Sequence, residues 1–371
     1  MKKIYYITAV FATLFLVGCG DGIDLPGVNV ETDLNKIPLP DNNVNLEQVE
    51  LKPSTEPMLH EGLHTEEDFQ RIRDKKAAGE EPWISAYQLL VESQFSQKTA
   101  DTYPTEWIKR GVSGDENYMN AARGATIVYQ QALRWKIEQD DEYAAKAVEN
   151  LNKWVQTCVG VTGNTNLSLA AGLYGYEFAI AGELLRDYGG WDRADFAAFQ
   201  NWLLKVFYPA NDDFLKRHHD TNALHYWANW CLCNIAAKMA IGIVTDRRDI
   251  YNEGIAHLQT GDTNGRLRRA IYHDYAPDYN FAQWQESGRD QGHTLMCVGL
   301  MGIICQLAWS QGDDFFAYDD NLFLRACEYA ACCNYTNETV PYTTYIWQKQ
   351  SQWGYPIPEE QTTLGLSLIH I

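Results

Sequence analysis

Three observations predict an all-α fold for this 371-residue chain, specifically an incomplete (α/α) toroid of antiparallel helical hairpins. Apolar residues recur at helical spacing through most of the sequence, the linkers are short and rich in turn residues, and alternating strand patterns are scarce. Long helices joined by short loops stack as antiparallel hairpins. About ten of them in one domain curve into a ring with a site at one end.

The first element is a targeting segment. Lys2 and Lys3 form a basic head, Ile4 to Phe15 an apolar run too short to span a bilayer, and Leu16-Val17-Gly18-Cys19 a lipobox. Residues 1–18 therefore read as a lipoprotein signal peptide, with Cys19 as the lipid-anchored residue of a periplasmic or outer-membrane-surface protein. Gly20 to Lys52 is rich in Pro, Asn and acidic residues, so positions 19–58 are expected to be a disordered stalk. Residues 59–365 contain no Pro/Gly/Ser linker and are long enough for one sizeable core.

Thr65-Glu66-Glu67-Asp68 marks a capped helix start. Helical periodicity then covers Tyr118–Gln139, Asp141–Val159, Leu169–Asp187, Ala194–Phe207, His225–Val244, Asp249–Leu258, Gly292–Gln311 and Asn321–Asn334. Residues 366–371 match one reading frame of a common sequencing-library adapter. They are expected to be a non-native tail on a domain lacking its last helices.

The net charge is −19, and loss of Lys2 and Lys3 takes it to −21, which speaks against nucleic acid as a partner. An anionic ligand needs a local basic pocket, and Arg266, Arg268, Arg269, His273, Arg289 and His293 fall within 28 residues. Of nine cysteines, Cys231, Cys297, Cys305 and Cys327 lie on apolar helical faces and read as core. Cys231-x-Cys233 and Cys332-Cys333 lack zinc spacing, and adjacent His218-His219 would not aim at one ion, so no metal or cofactor is expected. A monomer is expected.

Three segments concentrate chemistry. Gln283 to Thr294 packs amide, indole, carboxylate, guanidinium and imidazole groups just before a nearly uninterrupted apolar helix, which points to an anion site at a helix N-terminus. Asn222 to Trp230 leads into another helix, with Asn222, His225 and Asn229 spaced to share a face near its start. Arg266 to Tyr275 supplies Tyr, His and Arg at a density suited to proton transfer beside an anion.

The run Gln285-Glu286-Ser287-Gly288-Arg289-Asp290-Gln291-Gly292-His293-Thr294, preceded by Asn229-Trp230 and Tyr272-His273, resembles the alginate lyase family of α/α-toroid polyuronate lyases. Within it the chain is most similar to the branch classed as polysaccharide lyase family thirty-eight. Ala132 to Trp135, Ala171 to Phe178 and His64-Thr65-Glu66 extend the likeness, which covers roughly Leu59 to Tyr355.

The resemblance implies cleavage of an anionic polysaccharide by β-elimination at C5 of a uronate, giving unsaturated oligouronides. The expected polymers are alginate, mannuronate-rich, or glucuronan. Groups around the carboxylate must stabilise enolate-like charge while a Tyr or His moves protons. The family's adjacent Asn-His pair is broken here, because Asn222 stands three residues before His225-Tyr226-Trp227. Asn222 and Asn229 thus compete as carboxylate neutraliser, Arg268 and Arg269 for the catalytic arginine, and Tyr275 and Tyr272 for the proton transfers, with His225 as base or neutraliser. Arg289, His293, Gln285, Glu286, Gln291 and His273 are the implied substrate-binding residues, with Glu286 and Asp290 orienting Arg289 and His293. Trp230, Trp284, Tyr174 and Tyr176 are the implied sugar-stacking rings. A glycan-binding lipoprotein without catalysis and a uronide glycoside hydrolase are the alternatives.

Overall fold

The computed structural model describes residues 54–335 and 340–343, together with the backbone of Tyr345–Lys349 and Glu359–Thr363. The signal peptide, Cys19, the stalk up to residue 53 and the 366–371 tail lie outside the described residues.

Helices begin and end where the sequence supplies caps. Thr65 and Asp68 exchange side-chain and backbone hydrogen bonds in a capping box that opens α1 (Glu66–Ala77). Next come α2 (Trp83–Glu92), β1 (Trp107–Arg110) and α3 (Tyr118–Glu138). Gln139 in the left-handed conformation (φ 58°) stops α3, and the Asp140 carboxylate caps α4 (Asp141–Thr157). β2 (Gly160–Gly163) pairs in parallel with β1 and leads into α5 (Leu167–Leu185). Asp192 caps α6 (Arg193–Val206), and α7 (Tyr208–Arg217) follows it after the single residue Phe207.

The second half holds α8 (Ala228–Val244), α9 (Arg248–Thr260), the short α10 (Leu267–Ala270) and the antiparallel pair β3 (Ile271–Asp274) and β4 (Ala282–Trp284). After these come α11 (Gln291–Ser310), α12 (Tyr318–Tyr335) and the antiparallel strands β5 (Tyr345–Lys349) and β6 (Glu359–Thr363).

The helices form two courses of an incomplete toroid. In the inner course α3 packs on α5, α5 on α8 and α8 on α11. The outer course of α4, α6 with α7, α9 and α12 backs it, each packing against its sequence neighbour. An inner helix must be apolar on nearly every side, whereas an outer one needs only a stripe. Accordingly every residue of α5 except Leu167 and Glu177 is buried, and every residue of α8 except Trp230. Lys238, 0% exposed on α8, is neutralised by Asp212 at 2.8 Å and Glu253 at 2.5 Å, which ties α8 to α7 and α9.

Several expectations need correction. Residues 54–58 are not stalk: Arg248 donates to the Glu56 and Pro57 carbonyls at 2.8 and 3.0 Å, Asn252 donates to the Ser54 carbonyl, and Met58 is buried. α2 and α7 were not anticipated, because neither has a capping side chain and α7 starts at a proline straight after α6. The helix expected from His225 starts at Ala228, so Asn222 and His225 lie in the preceding turn rather than on a helical face.

The α5–α8 crossing depends on Gly172, where an added Cβ would stand 2.5 Å from Cys233 Sγ and 3.0 Å from the Cys233 backbone carbon. Gly172→Ala should therefore cost about 1–3 kcal/mol of stability, read as a lower denaturation midpoint. An unchanged midpoint would contradict the close approach.

Candidate active site

Glu286 lies at the junction of the three chemistry-bearing segments and is completely buried. Its Oε1 accepts from the Asn229 backbone N–H at 2.8 Å, from Asn229 Nδ2 at 2.8 Å and from Cys297 Sγ at 3.2 Å. Its Oε2 accepts from Asn229 Nδ2 at 3.0 Å and from Arg289 Nη1 at 2.9 Å. Gln285 Oε1 accepts from the Ala228 N–H at 3.0 Å. The first amides of α8 are thus capped by side chains 57 residues downstream, and the positive end of the helix helps hold the Glu286 charge.

Backbone pairing brings in the third segment. Ile271 pairs with Trp284, His273 with Gln283 and Asp274 with Ala282, and the Gln285 N–H donates to the Ala270 carbonyl at 2.9 Å. Asn264 pins the Asn222–Trp227 turn by donating to the Leu224 and Tyr226 carbonyls at 3.1 and 2.8 Å. Sequence reasoning missed Asn264, whose Thr-Asn-Gly setting reads only as a turn.

Arg289, 26% exposed, is held by Glu286 behind and lies over the Trp227 ring at 5.1 Å. Asp290 opens α11 as its N-cap, accepting from the His293 N–H at 2.7 Å and bonding His293 Nδ1 at 2.6 Å. Glu286 and Asp290 thus contact Arg289 and His293, the two residues they are expected to orient. The anion at the α11 N-terminus is the protein's own Asp290, which replaces the external anion expected there. Hydrogen bonds from His293 hold the Asp290 carboxyl below its ordinary value, against the opposing effect of its burial.

Tyr275 donates to Gln283 Oε1 at 2.6 Å and lies 3.1 Å from Thr343 Oγ1. Its ring stacks on Tyr329 and abuts His273, with centroids 6.1 and 4.5 Å apart. Burial pushes its phenol up to about 12 and also raises Tyr272. Both rings and His273 are half-buried, and burial lowers His273. Arg269 donates to the Asp262 carbonyl, and burial with Arg266 nearby lowers its guanidinium. Arg268 is instead taken up by Asp319 and Asp274, which makes it a brace between the β3 end and α12.

Several proposed site residues are braces rather than substrate contacts. Gln285, Glu286 and Gln291 are buried and spend their side chains on Ala228, Asn229 and the Ser287 carbonyl. Asn229 is buried with its amide nitrogen committed to Glu286, whereas Asn222 is partly exposed. Asn222 Oδ1 accepts from the Leu224 N–H in the turn. Trp284, Tyr174 and Tyr176 are buried and offer no ring face to a sugar, and the Trp284 indole donates to the Ala326 carbonyl. Trp230 keeps solvent access.

The His218–Asp220 turn runs through three consecutive left-handed residues (φ 49°, 53° and 60°) beside this wall. His219 bonds Ser168 Oγ at 2.9 Å on α5. His218 is buried, and its Nε2 has no hydrogen-bond partner among the described residues.

A two-course helical ring whose β3–β4 and α11-start segments carry phenol, imidazole and guanidinium groups fits a polysaccharide lyase. Residues 73–338 match the alginate lyase family model, and the chain belongs to that family. Alginate lyase A1-III from Sphingomonas species A1 is similar in structure at 13% identity and TM-score 0.52, over 74% of this chain and 79% of that one. A histidine-to-alanine variant of A1-III complexed with a tetrasaccharide matches at 14% identity and TM-score 0.57, over 76% and 82%. An alginate lyase from Bacteroides ovatus matches at 14% and 0.51, over 72% and 82%. No curated protein matches the sequence.

Burial, with His219 and His225 nearby, lowers His218 to about 4. The unfolded chain therefore binds this proton first, near pH 6.5. The resulting stability is complete above that pH and is lost as pH falls toward 4, by roughly 2–3 kcal/mol. His218→Phe should flatten the stability curve between those values; an unchanged slope would contradict it.

Proposed function

We propose that the protein cleaves a polyuronate by β-elimination, with alginate, mannuronate-rich, or glucuronan as its polymer and unsaturated oligouronides as its products. The observation that carries the reading is the fixed Arg289 guanidinium, clamped between buried Glu286 and the Trp227 ring beside the His225 turn. A preorganised cation costs no reorganisation when charge develops on a uronate carboxylate. Arg289, His293 and Arg269 bind carboxylates through charge-assisted hydrogen bonds. Asn222 and His225 neutralise the carboxylate whose C5 proton is removed.

Tyr275 carries the proton transfers. C5–H and O4 lie on one side of mannuronate and glucuronate, so one tyrosine serves both steps. Its phenolate takes the C5 proton, the C5–H electron pair forms the C4–C5 double bond, the C4–O4 bond breaks, and the phenol returns its proton to O4. Burial raises this phenol, so its reactive form is scarce at neutral pH, and kcat/KM should rise with pH through the neutral range.

A uronide hydrolase would need two accessible carboxyl groups flanking the bond. Glu286 is sealed, and Asp290 caps α11 while holding His293, which disfavours that reading. The lipobox supports a lipid anchor at Cys19 and a periplasmic or outer-membrane-surface location.

The test incubates the full chain with polymannuronate, polyguluronate and glucuronan and follows ultraviolet absorbance of the new double bond. Growth of that absorbance supports the lyase. Reducing ends without it indicate a hydrolase, and binding with neither indicates a glycan-binding protein. Tyr275→Phe should cut kcat by about 10²–10⁴-fold, with Tyr272→Phe far milder; the opposite ranking would move the acid–base role to Tyr272.

A further inference from the structure

Inner helix α5 is buried along its length except for Leu167 at its first position and Glu177 in its middle. Glu177 keeps partial exposure on this inner helix, as Trp230 does on the neighbouring inner helix α8. Its Oε2 is buried and has no hydrogen-bond partner among the described residues. A buried polar atom left unpaired costs free energy and calls for a partner that comes and goes.

The surroundings define that partner. Tyr129 on α3, itself half-buried, lies close enough for Glu177 to raise its phenol, and it shares a 2.6 Å hydrogen bond with His64 Nε2. Tyr176 on α5, buried beside Glu177 in sequence, has its phenol raised by burial and by the Glu177 and Tyr129 charges. Asp68 is the charge facing His64, which burial lowers to about 4. Desolvation alone pushes Glu177 up to about 8, and no cation offsets it. At neutral pH the pocket is thus a carboxylic acid, a phenol and a neutral imidazole. An anion buried here would lack a counter-charge, whereas a pair of sugar hydroxyls would not need one. A protonated carboxyl donates one hydrogen bond and accepts another, which matches a vicinal diol.

We propose that Glu177, with the Tyr129–His64 pair, forms a subsite that grips the free O2 and O3 hydroxyls of one sugar unit, so that the protein selects chains unsubstituted at those positions. The subsite deepens the polyuronate reading and rests on it. Glu177 stands nine residues along α5 from Ser168, which holds His219, or roughly 13 Å along the helix axis. That separation lies within the span of one oligosaccharide.

The experiment is a two-by-two cycle. Wild type and Glu177→Leu are each titrated calorimetrically with plain and with O2/O3-acetylated oligomannuronate, in a Tyr275→Phe background that blocks turnover. Plain ligand should bind Glu177→Leu at least tenfold more weakly than the parent. Acetylation should weaken the parent similarly but leave Glu177→Leu nearly unaffected. Glu177→Gln, which also donates and accepts, should bind plain ligand within about threefold of the parent, and it serves as the folded control if the leucine variant is unstable. Equal acetylation penalties in all three proteins, or an unchanged affinity in Glu177→Leu, would overturn the subsite while leaving the polyuronate reading intact. Failure of the parent to bind either ligand would overturn the subsite. In that case the absorbance assay, run on active wild type with plain polymer, shows whether the polyuronate reading itself has failed.

Discussion

A single buried carboxylate organises this protein's chemistry. Glu286 accepts from the backbone and side chain of Asn229, from Cys297 and from Arg289, so it joins the start of α8, the body of α11 and the wall between them. A sealed carboxylate is tolerable only when donors surround it, and removing any one of them exposes the cost of the rest. The arrangement holds Arg289 against Trp227, while Asn264 separately pins the Asn222–Trp227 turn. The ring of helices supplies the stage, but this one side chain sets the registry of the groups that meet the substrate.

The division between brace and contact follows from burial. Gln285 and Gln291 share the polar character of Arg289 and His293, yet they are spent inside the wall. Around the ring the same logic isolates exceptions. Trp230 and Glu177 keep partial exposure on helices that are otherwise buried, Trp230 while still packing on Phe214 and Tyr226.

Much of the fold was legible in the sequence because local rules agreed with global packing. Thr65-x-x-Asp68 marked the start of α1, and the nearly uninterrupted apolar run after Thr294 marked α11. The start of α8 was misplaced because its cap is not local. Gln285 and Glu286 cap it from 57 residues away, and no window around His225 contains that information. The segment from Gln283 to Thr294 stands out by composition, but composition could not separate the buried Gln283 to Ser287 from the accessible Arg289 and His293. Glu177 carried a signal in plain view, as a carboxylate inside an apolar helix.

The most direct test of the organising role of Glu286 is amide hydrogen exchange on Glu286→Gln. Loss of the charge should speed exchange together at Ala228–Asn229 and across Glu286–Gln291, while α3 and α4 keep their protection. A change confined to the residues flanking position 286, with the start of α8 unaltered, would contradict the account.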